Sequence, residues 1–164
     1  MFAVLGLPFA RKIAVAGIAL TLTASSTLAA GPFGEFGGAW RGTGKVADVH
    51  GKTETLSCKS SNSPSSDGIA MSLSLVCASD SYRVDFHADL YTDGTALRGT
   101  WTETTRSATG EIKGSITPDL INVTTTAPGF SANVVIRVQG GKRMEIDLNA
   151  QGTTVNHVVV SMRR

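Results

Sequence analysis

The sequence predicts an all-β fold, and three observations lead to that class. From Gly38 onward, short runs of residues alternate apolar and polar side chains with the two-residue period of a β-strand. Turn-forming residues separate these runs, and no segment after residue 30 carries the 3.6-residue apolar period of an amphipathic helix. The separators delimit about ten strands and lie at His50-Gly51, residues 59–68, residues 79–81, Asp93-Gly94, residues 107–110, Pro118-Asp119, Pro128-Gly129, Gly140-Gly141 and Gln151-Gly152.

The expected arrangement of these strands is an antiparallel up-and-down barrel. Consecutive strands with short connections would leave two unpaired edges in an open sheet, and such edges pair with other chains. Closing the sheet on itself removes both edges. A two-sheet β-sandwich is the alternative architecture.

Two hairpins have a register that can be predicted from their turns. Asp93-Gly94 is typical of a two-residue type I′ turn, and it places Glu103 opposite Val84. The other pairs in that hairpin are Thr92 with Thr95, Leu90 with Leu97, Phe86 with Trp101, and Asp89 with Arg98. A three-residue loop at Gly140-Gly141-Lys142 pairs Val138 with Met144, Ile136 with Ile146, Val134 with Leu148, and Arg137 with Glu145.

The third and fourth strands each present one apolar face to the predicted core. These faces consist of Ile69, Met71, Leu73, Leu75 and Cys77, and of Tyr82, Val84, Phe86, Ala88 and Leu90. The last strand is ambiguous, because Val158, Val159 and Val160 put valine on both faces. His157 can therefore point to either side.

Residues 1–30 have the pattern of a cleaved export leader. Arg11 and Lys12 precede an apolar run at residues 13–22, and small residues around Ala29 and Ala30 suit a signal peptidase. That run is about half the roughly 20 residues that a membrane-spanning helix needs. We therefore expect a single domain at residues 31–164, located in the periplasm or secreted, with no membrane span in the mature chain.

The mature chain is formally neutral. Removing the leader takes away Arg11 and Lys12 but no acidic residue, which leaves thirteen of the fifteen basic residues against thirteen acidic ones. A nucleic-acid-binding surface requires an excess of positive charge. We therefore expect no nucleic-acid partner.

Cys58 and Cys77 are the two cysteines of the chain. Because an exported protein reaches an oxidising compartment, an even cysteine count predicts a disulfide. A metal site is the alternative, but the sequence contains no Cys-x-x-Cys spacing.

Both ends of the predicted barrel carry a recognisable pattern. Residues 36–40 read Phe-Gly-Gly-Ala-Trp, and the chain ends in Arg163-Arg164. This resembles the lipocalins and wider calycins, in which a Gly-x-Trp at the start of the barrel packs beneath an arginine from near its end. The resemblance implies a contact of Trp40 with Arg163 or Arg164, and a small apolar ligand inside the barrel.

Few residues suggest catalysis or metal binding. Asp85, His87 and Asp89 alternate on one face of the fourth strand, but that face is opposite Phe86 and is interpreted as solvated. The three histidines lie on separate strands or turns, and no hydrolase, metalloprotease or phosphate-loop motif is present. We expect neither an enzyme, nor a metal site, nor a cofactor.

The aromatic side chains of the predicted inner face are the candidates for ligand binding. Phe86, Trp101 and Phe130 would enclose a ligand, whereas Glu103 and Tyr82 would orient it. Trp40 is either a further ligand contact or a plug for the closed end of the barrel. Glu103 is expected at the rim in water or as a paired group inside a cavity.

These features lead to three functional hypotheses. The first is an exported soluble binding module for a small apolar ligand. The second is an interaction protein, such as an inhibitor of a protease or lysozyme, that contacts an exported protein through residues 59–68 and 31–36. The third is a small outer-membrane barrel, because alternation alone does not say which face is internal.

Overall fold

A computed structural model describes residues 31–164, and the predicted leader lies outside these residues. The chain forms a short 3-10 helix at Gly34–Phe36 and ten β-strands. The strands are β1 (Gly38–Asp48), β2 (Thr53–Pro64), β3 (Ala70–Ala78), β4 (Arg83–Asp93), β5 (Ala96–Glu103), β6 (Ala108–Ile116), β7 (Leu120–Ala127), β8 (Phe130–Gln139), β9 (Arg143–Gln151) and β10 (Val155–Arg163).

The ten strands close into a single antiparallel barrel, which confirms the predicted architecture over the sandwich alternative. Each strand pairs with its neighbours in sequence, and β1 closes the barrel by pairing with β10. The closing register runs from Arg41 opposite Arg163 to Asp48 opposite Val155, with a β-bulge at Ala47/Asp48. No strand edge along this sheet is left unpaired.

Most side chains that point into the barrel are apolar, and most that point outward carry a hydroxyl group or a charge. In β5, for example, the residues alternate strictly between exposed and buried, with Leu97 and Trp101 inside. The third strand follows the prediction from Met71 to Cys77, but Ile69 precedes β3 and is 50% exposed. Including Ile69 in the core was therefore wrong, because the strand begins only at Ala70.

Glycines on the inner face allow the strands to bend tightly around the barrel. A Cβ atom built on Gly42 would lie 1.9 Å from the backbone oxygen of Ser161 on β10. No side chain fits there, so the backbones of β1 and β10 approach each other closely at this point.

The predicted hairpin of β8 and β9 is confirmed. Val138 lies opposite Met144, Ile136 opposite Ile146, and Arg137 opposite Glu145. Gly140 and Gly141, in the three-residue loop, both have positive φ, at 55° and 60°. The loop length therefore sets the register as expected.

The predicted register of β4 and β5 was wrong by two residues. Asp93 pairs with Ala96, so the two loop residues are Gly94 and Thr95. Gly94, with φ of 65°, takes the first loop position, as in a type II′ turn, and not the second. A shift of two residues leaves every side chain on its predicted face.

The cross-strand partners in this hairpin change accordingly. Trp101 lies opposite Ala88, and Glu103 lies opposite Phe86 and not Val84. Asp89 faces Thr100, so the expected pair with Arg98 does not form. The Asp89 carboxylate instead accepts a hydrogen bond from Ser72 Oγ at 2.7 Å.

The serine-rich segment at residues 59–68 is mostly strand. β2 continues to Pro64, with Ser60 and Asn62 buried, and the connection to β3 is short. The prediction of a loop was wrong because hydroxyl side chains alternate here between the inner and outer faces. Pairing with β1 and β3 satisfies the backbone of these residues.

One end of the barrel is closed by the segment that precedes β1. Phe33 and Trp40 are 0% exposed, and Phe36 is equally buried. The Phe36 carbonyl accepts hydrogen bonds from Trp40 Nε1 at 3.0 Å and from Asn62 Nδ2 at 2.9 Å. Residues 31–36 thus pack against the barrel, and their expected contact with a protein partner stays a prediction.

Arg164 completes this closed end. Its guanidinium carbon lies 4.5 Å from the centroid of the Trp40 ring, in the cation–π contact that the two ends of the sequence predict. Arg164 Nη2 also donates a hydrogen bond to the backbone oxygen of Glu35. Arg164 therefore connects the end of β10 to β1 and to the segment that precedes it.

The ambiguity in the last strand is resolved by its pairing with β1 and β9. Val158 and Val160 face the interior, opposite Val46 and Gly44. Val159 is exposed, and His157 lies on the outer face, 3.2 Å from Asp147.

Cys58 and Cys77 form the predicted disulfide. The two cysteines lie directly opposite each other on β2 and β3, and both are buried inside the barrel. Among residues 31–164, no helix is long and apolar enough to span a membrane.

We expect loss of the disulfide to destabilise the barrel. Replacing both Cys58 and Cys77 by alanine should lower the free energy of unfolding by about 3 kcal/mol, because the unfolded chain regains the freedom of a closed loop. Urea unfolding monitored by circular dichroism measures the difference. A reductant should destabilise the parent protein similarly and leave the double variant unchanged; no effect on either protein would contradict the expectation.

Candidate functional site

The two ends of the barrel differ in how completely their inward side chains are buried. At the end closed by Phe33, the interior residues Leu97, Ile116 and Met162 are almost fully buried. Towards the other end, several inward apolar side chains are half-buried, namely Leu75, Val84, Phe86, Phe130, Val134, Leu148 and Val158, whereas Val46, Leu56 and Cys77 are buried. We call this less completely buried end the open end.

An aromatic cluster lies on the inner wall at the open end. Phe86 of β4 stacks on Trp101 of β5, with ring centroids 5.6 Å apart and planes inclined by 22°. Phe130 of β8 meets Trp101 edge to face at 5.8 Å. Three predicted ligand residues are thus in direct contact, in geometries that favour aromatic packing.

Two small residues make room for this cluster. Phe130 is three strands away from Trp101, and the positions between them on β6 and β7 carry Gly110 and Ala127. A Cβ atom built on Gly110 would lie 2.6 Å from Trp101 Nε1. The indole of Trp101 therefore lies against the inner wall over β6, where no side chain is in its way.

Two polar atoms near this cluster have no hydrogen-bond partner among the described residues. They are Trp101 Nε1 and Thr125 Oγ1, and each residue is only 6% exposed. Thr125 lies on the inner face of β7, opposite Ile112 and Ala132. A buried polar group without a partner costs about 1–3 kcal/mol, so two such groups in one region are unusual.

Glu103 does not project freely into the barrel. It is 7% exposed, and its carboxylate accepts hydrogen bonds from the backbone nitrogens of Asp85, Thr105 and Arg106 at 2.9–3.1 Å. The hydroxyl of Thr105 and the guanidinium of Arg106 also donate to it. Glu103 thus fastens the β5–β6 turn to β4, as a paired group with little capacity left for a ligand.

The pKa of Glu103 reflects this network. Burial by itself would raise the pKa, but the hydrogen bonds from Thr105, Asp85 and Arg106 outweigh burial and lower it. Glu103 is therefore a carboxylate near neutral pH.

Glu54 is a second carboxylate at the open end. It accepts hydrogen bonds from Lys52 Nζ and Ser79 Oγ, both at 2.7 Å, and from the backbone nitrogen of Ser81. The hydrogen bonds from Lys52 and Ser79 lower its pKa from 4.5 to about 2. Glu54 thereby ties β2 to the β3–β4 turn.

The remaining predicted ligand residues lie apart from the aromatic cluster. Tyr82 is half-buried in the β3–β4 turn, at the rim of the open end. Trp40 lies at the opposite end and packs as the plug that the sequence allowed. Contact of any of these residues with a ligand stays a prediction.

The alternating charges of β4 lie on the outer face, as interpreted. His87 Nε2 is 3.1 Å from Asp85 Oδ1, and Asp89 is bonded to Ser72. Within residues 31–164, no cluster of three histidine, cysteine or acidic side chains is arranged to hold a metal.

Two shallow clefts are also present on the outer surface. One, of about 300 Å³, is lined mainly by serines of β2 and β3 together with His87 and Asp89. The other, of about 240 Å³, lies around Asp119 and Arg137. Both are open and partly polar, and neither includes the inward-facing aromatic residues.

No protein-family model and no curated protein matches the sequence. The fold is similar to that of the S-type phycobiliprotein lyase CPES from Guillardia theta, with a TM-score of 0.60 and 10% identity over 80% of this chain and 89% of that chain. EF1p2_mFAP2b bound to DFHBI also aligns, with a TM-score of 0.48 and 14% identity over 79% of this chain and 94% of that chain. At these identities the likeness to the lyase shows the fold alone.

Sequence reasoning missed two residues of this site, Gly110 and Thr125. Thr125 could have been recognised, because it is the polar member of an inward series that otherwise reads Ile121, Val123 and Ala127. The role of Gly110 could not, because it depends on where the Trp101 ring lies.

We expect the barrel to lose stability in acid. The folded pKa values of Glu54 and Glu103 are lowered, so below about pH 4.5 the unfolded chain binds more protons than the folded one. The melting temperature should be constant above that pH and fall as the pH approaches 2. Thermal melts of the parent protein between pH 7 and pH 2 measure this change.

The variant Glu54→Gln should show a shallower fall in melting temperature. Glu145→Gln, at an exposed outer-face position on β9, is the matched control and should behave like the parent. Identical acid profiles for the parent and the Glu54 variant would contradict the assignment.

Proposed function

We propose that this protein is a binding module that takes a small, mainly apolar molecule at the open end of the barrel. The observation that carries the proposal is the half-buried apolar wall around Phe86, Trp101 and Phe130. Binding sites for small molecules are concave and mostly apolar, with a few polar groups that fix orientation. The open end supplies the apolar wall, with the polar groups of Glu54 and Glu103 at its rim.

The closed end offers no competing entrance. Phe33, Phe36 and Trp40 fill it, and their polar atoms are bonded to one another and to Asn62. A ligand would therefore enter past the turns that Glu54 and Glu103 fasten, and stack on the aromatic cluster. Because that cluster already occupies part of the interior, the proposed site is a shallow apolar surface near the rim.

No specific observation favours the two alternative functions. Residues 31–36 and 59–68 are the segments expected to contact an exported protein partner. Residues 31–36 pack at the closed end, and residues 59–64 of the second segment lie in β2. For an outer-membrane barrel, the lipid-facing positions would have to be apolar. The outward positions here carry mainly serine, threonine and charged side chains, as in β2 with Ser57, Lys59 and Ser61.

We extend the proposal to the location of the protein. The Cys58–Cys77 bridge is typical of a non-reducing compartment, which agrees with the leader pattern at residues 1–30. Periplasmic or secreted location is therefore the setting in which the barrel would meet its ligand.

A larger side chain on the inner wall should weaken ligand binding. Val134 and Val135 are adjacent partly buried valines of β8, but Val134 faces the interior and Val135 the outside. We expect Val134→Phe to weaken binding of an apolar probe such as retinol at least tenfold, and Val135→Phe to leave it unchanged. Calorimetric titration gives both affinities, and circular dichroism verifies that each variant is folded.

Two results would argue against the open end as the site. Equal loss of probe binding in both variants would indicate a general effect on the fold. Retention of full affinity by a folded Val134→Phe variant would indicate that the probe binds elsewhere.

Export predicts a defined mature terminus. When the full chain is expressed in a Gram-negative bacterium, the protein should be recovered from the periplasmic fraction, beginning at residue 30 or 31. Mass spectrometry of the purified protein determines its first residue. A variant lacking residues 2–30 is the control and should stay in the cytoplasm; an intact leader on the recovered protein would contradict cleavage.

A further inference from the structure

We infer that the outer wall of the barrel near its closed end binds an acidic polysaccharide, which is a sugar polymer with carboxylate or sulfate groups. The binding surface is a row of basic residues on four adjacent strands, which we call the basic band: Lys59 of β2, Arg41 of β1, Arg163 of β10 and Arg143 of β9. The band lies on the outside of the barrel, so this site is separate from the one proposed at the open end.

The sheet register places the four basic side chains side by side. Arg41 pairs with Lys59 on one side and with Arg163 on the other, and Arg163 pairs with Arg143. All four residues are exposed on the outer face. Directly opposite residues of an antiparallel sheet have Cβ atoms about 5 Å apart, so the band is a continuous line of positive charge across the seam between β1 and β10.

The stability of the barrel does not explain this arrangement. Like charges directly opposite each other destabilise a sheet, and the band contains three such pairs. None of its four side chains forms an ion pair with a carboxylate among residues 31–164. Glu145, two residues beyond Arg143 on the same face of β9, lies directly opposite Arg137. An anionic partner would therefore relieve a repulsion that the protein leaves uncompensated.

The band is a local excess of positive charge on a mature chain that is formally neutral. On the far side of the barrel, β4, β5 and β6 together carry five acidic residues and three basic ones. A polyanion is therefore attracted to one side of the barrel and repelled from the other.

The curvature of the wall favours a flexible partner. The band covers three of the ten intervals between neighbouring strands, which is nearly a third of the circumference of the barrel. Lys59 and Arg143, at its two ends, therefore point in different directions. A flat bilayer would contact only part of the band, and a small anion only one or two of its residues, whereas a flexible polymer can follow the whole curve.

The residues around the band favour a polysaccharide over a single-stranded nucleic acid. Proteins that bind single strands stack the bases on aromatic side chains. No outward-facing position of β1, β2, β9 or β10 carries phenylalanine, tyrosine or tryptophan. The adjacent row instead carries the hydroxyls of Ser57, Thr43 and Ser161, which can bond to sugar hydroxyl groups. The arginines of the band add forked guanidinium groups, which match the paired oxygens of a carboxylate.

Dextran sulfate and uncharged dextran of equal length test the role of charge on an unchanged sugar backbone. We expect calorimetry at low salt to show binding of dextran sulfate and no binding of dextran by the mature protein. Polygalacturonate, whose charges are carboxylates, should bind as well. The affinity for both polyanions should fall steeply as salt is added, because binding releases their condensed counterions.

The double variant Arg41→Gln/Arg163→Gln removes the two central charges of the band. It should bind dextran sulfate at least about tenfold more weakly than the parent at low salt, and its affinity should depend less steeply on salt. The matched control is Arg98→Gln/Lys113→Gln, which removes two charges from directly opposite outer-face residues of β5 and β6. This control should bind like the parent, and Arg41→Lys/Arg163→Lys should keep most of the affinity.

Thermal melts separate loss of charge from loss of the fold. Because like charges oppose each other in the band, Arg41→Gln/Arg163→Gln should melt at the same temperature as the parent or higher at low salt. Dextran sulfate should raise the melting temperature of the parent more than that of this variant, because a ligand stabilises the folded state that binds it.

Three results would overturn the inference. The first is failure of both dextran sulfate and polygalacturonate to bind, and the second is equal weakening of binding by the band variant and its control. The third is tighter binding of a thymidine oligonucleotide, of polyglutamate or of phosphatidylglycerol vesicles, each compared at equal concentration of charge. Binding of retinol at the open end is measured separately, so none of these results bears on the proposed binding module.

Discussion

The architecture depends on one constraint, which is the pairing of β1 with β10. This pairing turns a ten-strand meander into a closed wall, so that every second side chain is enclosed. It also brings residue 40 next to residue 164, and the Trp40–Arg164 contact reinforces the seam. Inward glycines such as Gly42 allow the two backbones to approach closely enough for that closure.

Closure has different consequences at the two ends of the barrel. The segment before β1 brings Phe33 and Phe36 across one end, where the Phe36 carbonyl accepts hydrogen bonds from Trp40 and Asn62. The opposite end is bordered by short turns, which Glu54 and Glu103 hold to neighbouring strands. Carboxylates that hold turns together are already satisfied, and they leave the aromatic wall as the surface on which a ligand could pack.

The inward faces and the barrel could be predicted from the sequence, because alternation determines which face of a strand a side chain occupies. The disulfide could be predicted from the even number of cysteines. Register was harder, since Gly94 could occupy either loop position and both choices preserve the faces. Trp40 was foreseen as a plug, but Phe33 and Phe36 were missed as its other parts because they precede the alternating pattern. The sequence left two settings open for Glu103, because its partners are backbone nitrogens of a turn and the sequence does not show where these point.

The site itself was predictable only in part. Phe86, Trp101 and Phe130 follow from alternation, but their contact depends on Gly110 and Ala127, which let a ring cross two strands. Such a crossing makes the indole a part of the inner wall, because its Nε1 atom lies next to Gly110 on β6. Small residues on two strands, and not the alternation of apolar and polar side chains, thus decide where the Trp101 ring packs.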